Sequence, residues 1–157
     1  MPADVRVGIG FDVHPREDGR DLWLGGVRFD GEDGLAGHSD GDAACHAIAD
    51  ALLGAVALGD VGQHFPENDP AIGGISGVEL LSRTVALVRE TGRSPAQCDL
   101  TVIADRPSIA SHRDEMRAAI ADVLAISIGD VSVKATRPEG LGLSGDGVGC
   151  LAVLVLA

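Results

Sequence analysis

The sequence predicts an α+β fold: a mixed β-sheet with helices on one face, in a ferredoxin-like layering. Three observations lead there. Runs of β-branched and large apolar residues stand near both ends of the chain. Three longer segments repeat their apolar residues at helical spacing. The resulting order, β β α α β α β β, lacks the regular βαβ alternation of a doubly wound sheet. At 157 residues the chain fits one domain, residues 1–157, in which about 70% of the unfolded surface can be buried.

The elements follow in order. "VRVGIGFDV" (5–13) and "LWLGGVRF" (22–29) read as strands joined by a charged loop. "HSDGDAACHAIADALLGAVALGD" opens with Ser39-x-x-Asp42, a capping-box-like start, and continues in strong helix formers to about Leu58, with Gly59 as the stop. Residues 61–74 read as a long, turn-rich loop. "GVELLSRTVALVRETG" (77–92) is an amphipathic helix, with Leu80, Leu81, Thr84, Leu87 and Val88 on one face. "CDLTVIA" (98–104) is a strand, and 111–126 a helix presenting Met116, Ile120, Val123 and Leu124. "DVSVKA" (130–135) and "GCLAVLVLA" (149–157) are strands, the last apolar enough for burial on both faces.

Composition narrows the function. Asp and Glu number 24 against 12 Lys and Arg, a net charge of −12, and no basic cluster occurs. Nucleic-acid affinity rests on neutralised phosphates, so neither DNA or RNA nor an anionic membrane is an expected partner. If the ligand is an anion, selected residues or bound metal must supply positive charge. No apolar run approaches the ~20 residues of a membrane helix, and no signal-peptide pattern is present, so a soluble, cytoplasmic protein is expected. Cys45, Cys98 and Cys150 are odd in number and far apart, which fits buried free thiols in a reducing compartment.

The chemistry-bearing residues begin with "GFDVHP". On a strand, Asp12 and His14 project to the same face and Val13 to the other. Such a pair serves as a catalytic dyad, as two metal ligands, or as a hydrogen-bonded strand end. In the first helix, apolar almost all round, Asp42, His46 and Asp50 form a polar stripe at i, i+4 and i+8. Together Asp12, His14 and His46 match a zinc site with an open fourth position; read separately, they are two unrelated polar pairs. "GLGLSG" (140–145) has the G-x-G-x-x-G spacing but follows no adjacent strand and opens no helix, so it reads as a turn between strands. Lys134, Thr136, Arg137 and Glu139 form either a solvated strand end or a phosphate-facing loop, with Thr136 donating a hydrogen bond and Glu139 holding a divalent cation.

"GFDVH", "GGV", "HSDGDAACHAIADALLGAVALGDVGQHFP" and "VKAT" together resemble the 2-C-methyl-D-erythritol 2,4-cyclodiphosphate synthases of the non-mevalonate isoprenoid pathway, along nearly the whole chain. The resemblance implies a homotrimer of α+β subunits with active sites at the subunit interfaces. It implies a reaction that turns 4-diphosphocytidyl-2-C-methyl-D-erythritol 2-phosphate into the cyclic diphosphate with release of CMP. It makes Asp12, His14 and His46 ligands of Zn²⁺, with Asp12 and His14 also lining the substrate site, and Glu139 a ligand of Mg²⁺ or Mn²⁺. His38 and Ser39 would contact phosphates near the reacting centre. Asp60, Gly62, Phe65 and Asp69 would hold the methylerythritol hydroxyls, and the loop 104–110, with Ala104, Pro107 and Ala110, the cytidine. Thr136 and Arg137 would assist the transferring phosphate.

The chain departs from the family at several positions. Arg137 and Pro138 stand where the family has threonines, and Ser108 where lysine is common, with Arg106 two residues earlier. Arg106 and Arg137 are therefore expected to compensate for the missing residues. Asp146 and Val148 replace an arginine and a glutamate near the family's central cavity, where the arginine helps bind isoprenoid diphosphates; the reversed charge argues against such a ligand here.

Overall fold

Alternate residues of β1 (Arg6–Leu24) divide its first half into two unlike faces. Gly8, Gly10, Asp12 and His14 turn inward, whereas Val7, Ile9, Phe11 and Val13 are exposed. The computed structural model describes residues 4–142 and 146–157. β1 runs without a break through residues 14–21, expected as a charged loop, and turns at Gly25 and Gly26 into β2 (Val27–Leu35). The charges misled because a hairpin arm open to water needs no apolar alternation. Pairing between Glu17 and Leu22 shifts register, the irregularity of a β-bulge.

The sheet order is β2-β1-β5-β3-β4. β5 (Gly147–Leu156) lies antiparallel between β1 and β3 (Pro95–Ile103), while β3 and β4 (Val131–Thr136) are parallel. That parallel pair is bridged by α4 (Arg113–Leu124), so the sheet is mixed, as expected. α1 (Ala43–Ala55) packs on β1 and β5, and α3 (Gly77–Glu90) packs on α1. Two short pieces, α2 (Val61–His64) and a 3₁₀ turn (Pro70–Ile72), interrupt the segment read as a loop.

The core is aliphatic: Leu22, Leu24, Ile48, Leu52, Leu81 and Leu100 are fully buried, among others. The second half of β5 is buried on one face within a single chain, not on both as expected. Cys150, Ala152 and Leu154 lie inside, whereas Leu151 and Val155 are half-buried and Val153 is exposed. Burial pushes the thiols of Cys45 and Cys150 well above their ordinary range and that of Cys98 up to about 12, as expected for inert free cysteines.

α1 begins at Ala43, later than the Ser39 start suggested. Its N-cap is Asp42, whose carboxylate accepts from Cys45 N. It ends at Ala55, short of Leu58 and Gly59. Of the glycine-rich turn after β4, Gly140 and Gly142 have positive φ, and residues 143–145 lie outside the described residues. No helix among the described residues is long and apolar enough to cross a membrane.

Candidate functional site

The glycines of β1 bring the site together. A Cβ at Gly8 would lie 1.8 Å from the Ala51 carbonyl oxygen, and one at Gly10 1.9 Å from that of Ala47. With no side chains between them, α1 rests directly on the strand. His46, on that helix, therefore meets Asp12 and His14, the next inward residues of β1. His14 Nε2 stands 3.3 Å from His46 Nδ1 and 2.6 Å from Asp12 Oδ2, and His46 Nδ1 lies 3.4 Å from the same carboxylate oxygen. The separate-pairs reading fails, because these three are one cluster.

Hydrogen bonds orient both rings. A carbonyl oxygen only accepts, so His14 Nδ1–H donates to Ala36 O at 2.7 Å and Nε2 is left facing the cluster. Ser39 Oγ accepts from Gly41 N and lies 3.1 Å from His46 Nε2, on the far side of that ring from Asp12. In the Nε2–H tautomer His46 donates to this hydroxyl and keeps its Nδ1 lone pair for the site. Asp12 Oδ2 is buried and lacks an aligned hydrogen-bond partner, despite its two close imidazoles. Donors about 2.0–2.1 Å from a tetrahedral ion stand about 3.4 Å apart, close to two of the three separations. Two imidazoles and one carboxylate thus fit a borderline divalent metal. Burial pushes the Asp12 carboxyl up, but His14 and His46 together outweigh it and hold it at about 2. The close approach of Asp12 in turn raises His14.

The cluster opens into a pocket of about 320 Å³. His38, Ser39, Asp60, Gly62 and Phe65 line it. His38 Nε2 is 3.4 Å from Glu67 Oε2 at the exposed rim. Asp60 caps α2 through Gln63 N while facing the pocket. Asp69 is not among the lining residues; its carboxylate accepts from Ala71 N and caps the 3₁₀ turn. Asp50 lines the pocket too and accepts from Val61 N. Its place four residues after His46 was the available signal for it.

A second pocket, of about 310 Å³, shares no lining residue with the first. Ala104, Pro107, Ala110, Thr136 and Arg137 border it, and Arg113 joins them without any sequence signal beyond its charge. Arg106 does not: its guanidinium lies 3.6 Å from the Glu32 carboxylate. Glu139 is exposed in the turn after β4, at φ 52°, and lines neither pocket. Lys134 is exposed at the end of β4 and pairs with Asp99 at 2.8 Å. β1 and β4 are three strand spacings apart, on the order of 14 Å, which separates the two pockets within one chain.

An α+β domain that opens a carboxylate and two imidazoles onto a pocket has the framework of a metal-dependent enzyme. The chain belongs to the YgbB family, whose profile matches residues 5–157. A bifunctional enzyme IspD/IspF of Erythrobacter litoralis is 51% identical over 148 residues, covering 94% of this chain and 38% of that protein. The 2-C-methyl-D-erythritol 2,4-cyclodiphosphate synthase of Porphyromonas gingivalis is 44% identical over 158 residues, 99% of this chain and 98% of its own length. Among solved structures, the bifunctional IspDF from Campylobacter jejuni superposes with a TM-score of 0.92 at 36% identity, over 98% of this chain and 42% of that one. A 2C-methyl-D-erythritol-2,4-cyclodiphosphate synthase in a CDP-bound form gives 0.89 at 36% identity, over 97% of this chain and 100% of its own. The chain therefore spans about two fifths of the bifunctional relatives and nearly all of the shorter ones.

Proposed function

We propose that this protein cyclises 4-diphosphocytidyl-2-C-methyl-D-erythritol 2-phosphate to 2-C-methyl-D-erythritol 2,4-cyclodiphosphate with release of CMP, as a cytoplasmic phosphorus–oxygen lyase of the non-mevalonate isoprenoid pathway. The observation that carries this reading is the convergence of Asp12, His14 and His46 on an open pocket in a chain of the YgbB family. A 2-phosphate oxygen bonds to the β-phosphorus while the bond from that phosphorus to the bridging oxygen breaks, and CMP leaves with the electron pair. Both reacting groups are anionic, and the protein itself is acidic. Zn²⁺ held by Asp12, His14 and His46 would supply part of the missing positive charge when bound, and Glu139, exposed outside both pockets, is the carboxylate that the family resemblance offers for Mg²⁺ or Mn²⁺.

The chain's own residues bind and orient. Asp60, Gly62 and Phe65 hold the methylerythritol moiety, and Asp69 keeps the neighbouring turn in shape. His38, at the rim, reaches the phosphates near the reacting centre, while Ser39 holds His46. Ala104, Pro107 and Ala110 border the cytidine, and Thr136 and Arg137 its diphosphate. Positioning of this kind lowers a phosphoryl-transfer barrier without a covalent protein intermediate.

A homotrimer completes the proposal. The two half-sites are distant within one chain, and the open apolar row of β1 supports an interface through which one copy's metal pocket adjoins another's nucleotide pocket. The test is ³¹P NMR of the protein with the substrate, zinc and magnesium, beside a His46→Ala control. Cyclic diphosphate plus CMP, lost in the control, supports the reading. Linear phosphate products, or no turnover with zinc bound, overturn it.

A further inference from the structure

Arg113 and Arg137 stand apart from most cations of this acidic chain. Neither has an ion pair or side-chain hydrogen bond among the described residues, whereas Arg16, Arg20, Arg106, Arg117 and Lys134 are all engaged. They come from different elements, Arg113 from the first turn of α4 and Arg137 from just beyond β4, yet line the same pocket. The nearest acids on their own segments do not neutralise them. Asp114 is taken by Arg117 at 3.1 Å, and Glu139 lies outside the pocket. Asp105 is the one carboxylate in the lining; it only accepts, and suits hydroxyl or amine groups of a ligand rather than its phosphates.

We propose that Arg113 and Arg137 form a two-guanidinium clasp for the phosphate groups of a nucleotide in the second pocket, and so set its preference for nucleotide over nucleoside. This rests on the nucleotide reading of that pocket given above. A guanidinium without an internal partner keeps its donors free for phosphate oxygens, and its planar fork suits bidentate contact. Two of them supply, on side chains, positive charge that the acidic surroundings lack. Thr136, in the same lining, adds a neutral hydroxyl donor.

Calorimetric titration with CDP and with cytidine separates the cases, using the wild type and the Arg113→Gln, Arg137→Gln and Arg106→Gln variants. Charge-assisted hydrogen bonds predict that CDP binding weakens about tenfold or more in each of the first two. Cytidine affinity should stay within about twofold, and Arg106→Gln should leave CDP affinity unchanged. Wild-type protein that binds CDP, with both pocket variants binding it equally well, overturns the clasp and leaves the nucleotide reading standing. Equal weakening of CDP and cytidine also overturns the clasp, since it reports a distorted pocket. Wild-type protein that binds neither ligand overturns the nucleotide reading and the clasp with it.

Discussion

The carboxylate of Asp42 accepts a hydrogen bond from the Gly25 N–H at 2.8 Å, which joins the tip of the β1–β2 hairpin to the start of α1. The same oxygen takes Cys45 N at 2.9 Å, and the other takes Gly26 N at 2.8 Å. Asp42 is fully buried, so its removal leaves three N–H groups short of an acceptor. Asp42→Ala is expected to cost about 3 kcal/mol or more, well beyond an ordinary N-cap loss. Urea unfolding of both proteins checks this; a loss below about 1 kcal/mol contradicts it.

Ser39, expected at the substrate, holds its hydroxyl against His46 Nε2 and Gly41 N. If His46 ligates a metal, this contact orients it. Ser39→Ala should lower zinc affinity about 10- to 100-fold with little change in the metal-free melting temperature. Competition against a chromophoric chelator measures the affinity, with Asp12→Ala as the variant that loses the site. Unaltered zinc affinity in Ser39→Ala would assign the hydroxyl to the substrate after all.

The metal-free cluster should also make stability depend on pH. Asp12 holds His14 above its ordinary 6.5, so His14 contributes stability fully below that value and loses it as pH rises through the folded one. Asp12, at about 2 against an ordinary 3.8, contributes above 3.8 and loses it as pH falls toward 2. Their joint contribution is greatest between these limits. Zinc bound at His14 would displace its proton, so the stabilisation by zinc would run the other way and grow with pH. Thermal melts at about pH 5.5 and about pH 8.5, with chelator or with zinc, should show opposite trends for this contribution. In His14→Gln the chelator-side trend should shrink; its persistence at full size would place the cause elsewhere.

Legibility in the sequence followed how local each signal was. Asp12, Val13 and His14 obey the two-residue period of a strand, and α1 declares itself by composition, so the candidate residues Asp12, His14 and His46 could be picked out before any fold was known, though not that they meet. The strand order could not, because β5 inserts between β1 and β3 through contacts distant in sequence. The hairpin arm at 14–21 was hidden by its charges, and the true N-cap by a serine three residues too early. Arg106 and Arg113 show the limit most plainly. Both are cations near the same loop, and only the packing of α4 and the pull of Glu32 decide which one reaches the pocket.

The two faces of β1 should respond to substitution in opposite ways. A methyl group at Gly10 would strike the backbone of α1, with Ala47 O at 1.9 Å and Ala51 N at 2.8 Å, and neither can swing aside as a side chain could. Gly10→Ala should therefore destabilise the subunit by about 3 kcal/mol and, by lifting α1, pull His46 away from Asp12 and His14, so that zinc binding weakens as well. Ile9 and Phe11 are 67% and 48% exposed on the other face. Replacing both with serine should leave the metal cluster intact in each subunit. If that face is the trimer interface, it should shift the protein from trimer to monomer, because the interface loses its apolar area. Sedimentation velocity and zinc titration on the two variants distinguish the faces. An Ile9→Ser/Phe11→Ser protein that remains trimeric would move the interface off this strand, and a Gly10→Ala protein with full zinc affinity would show that the glycine does not set the approach of His46.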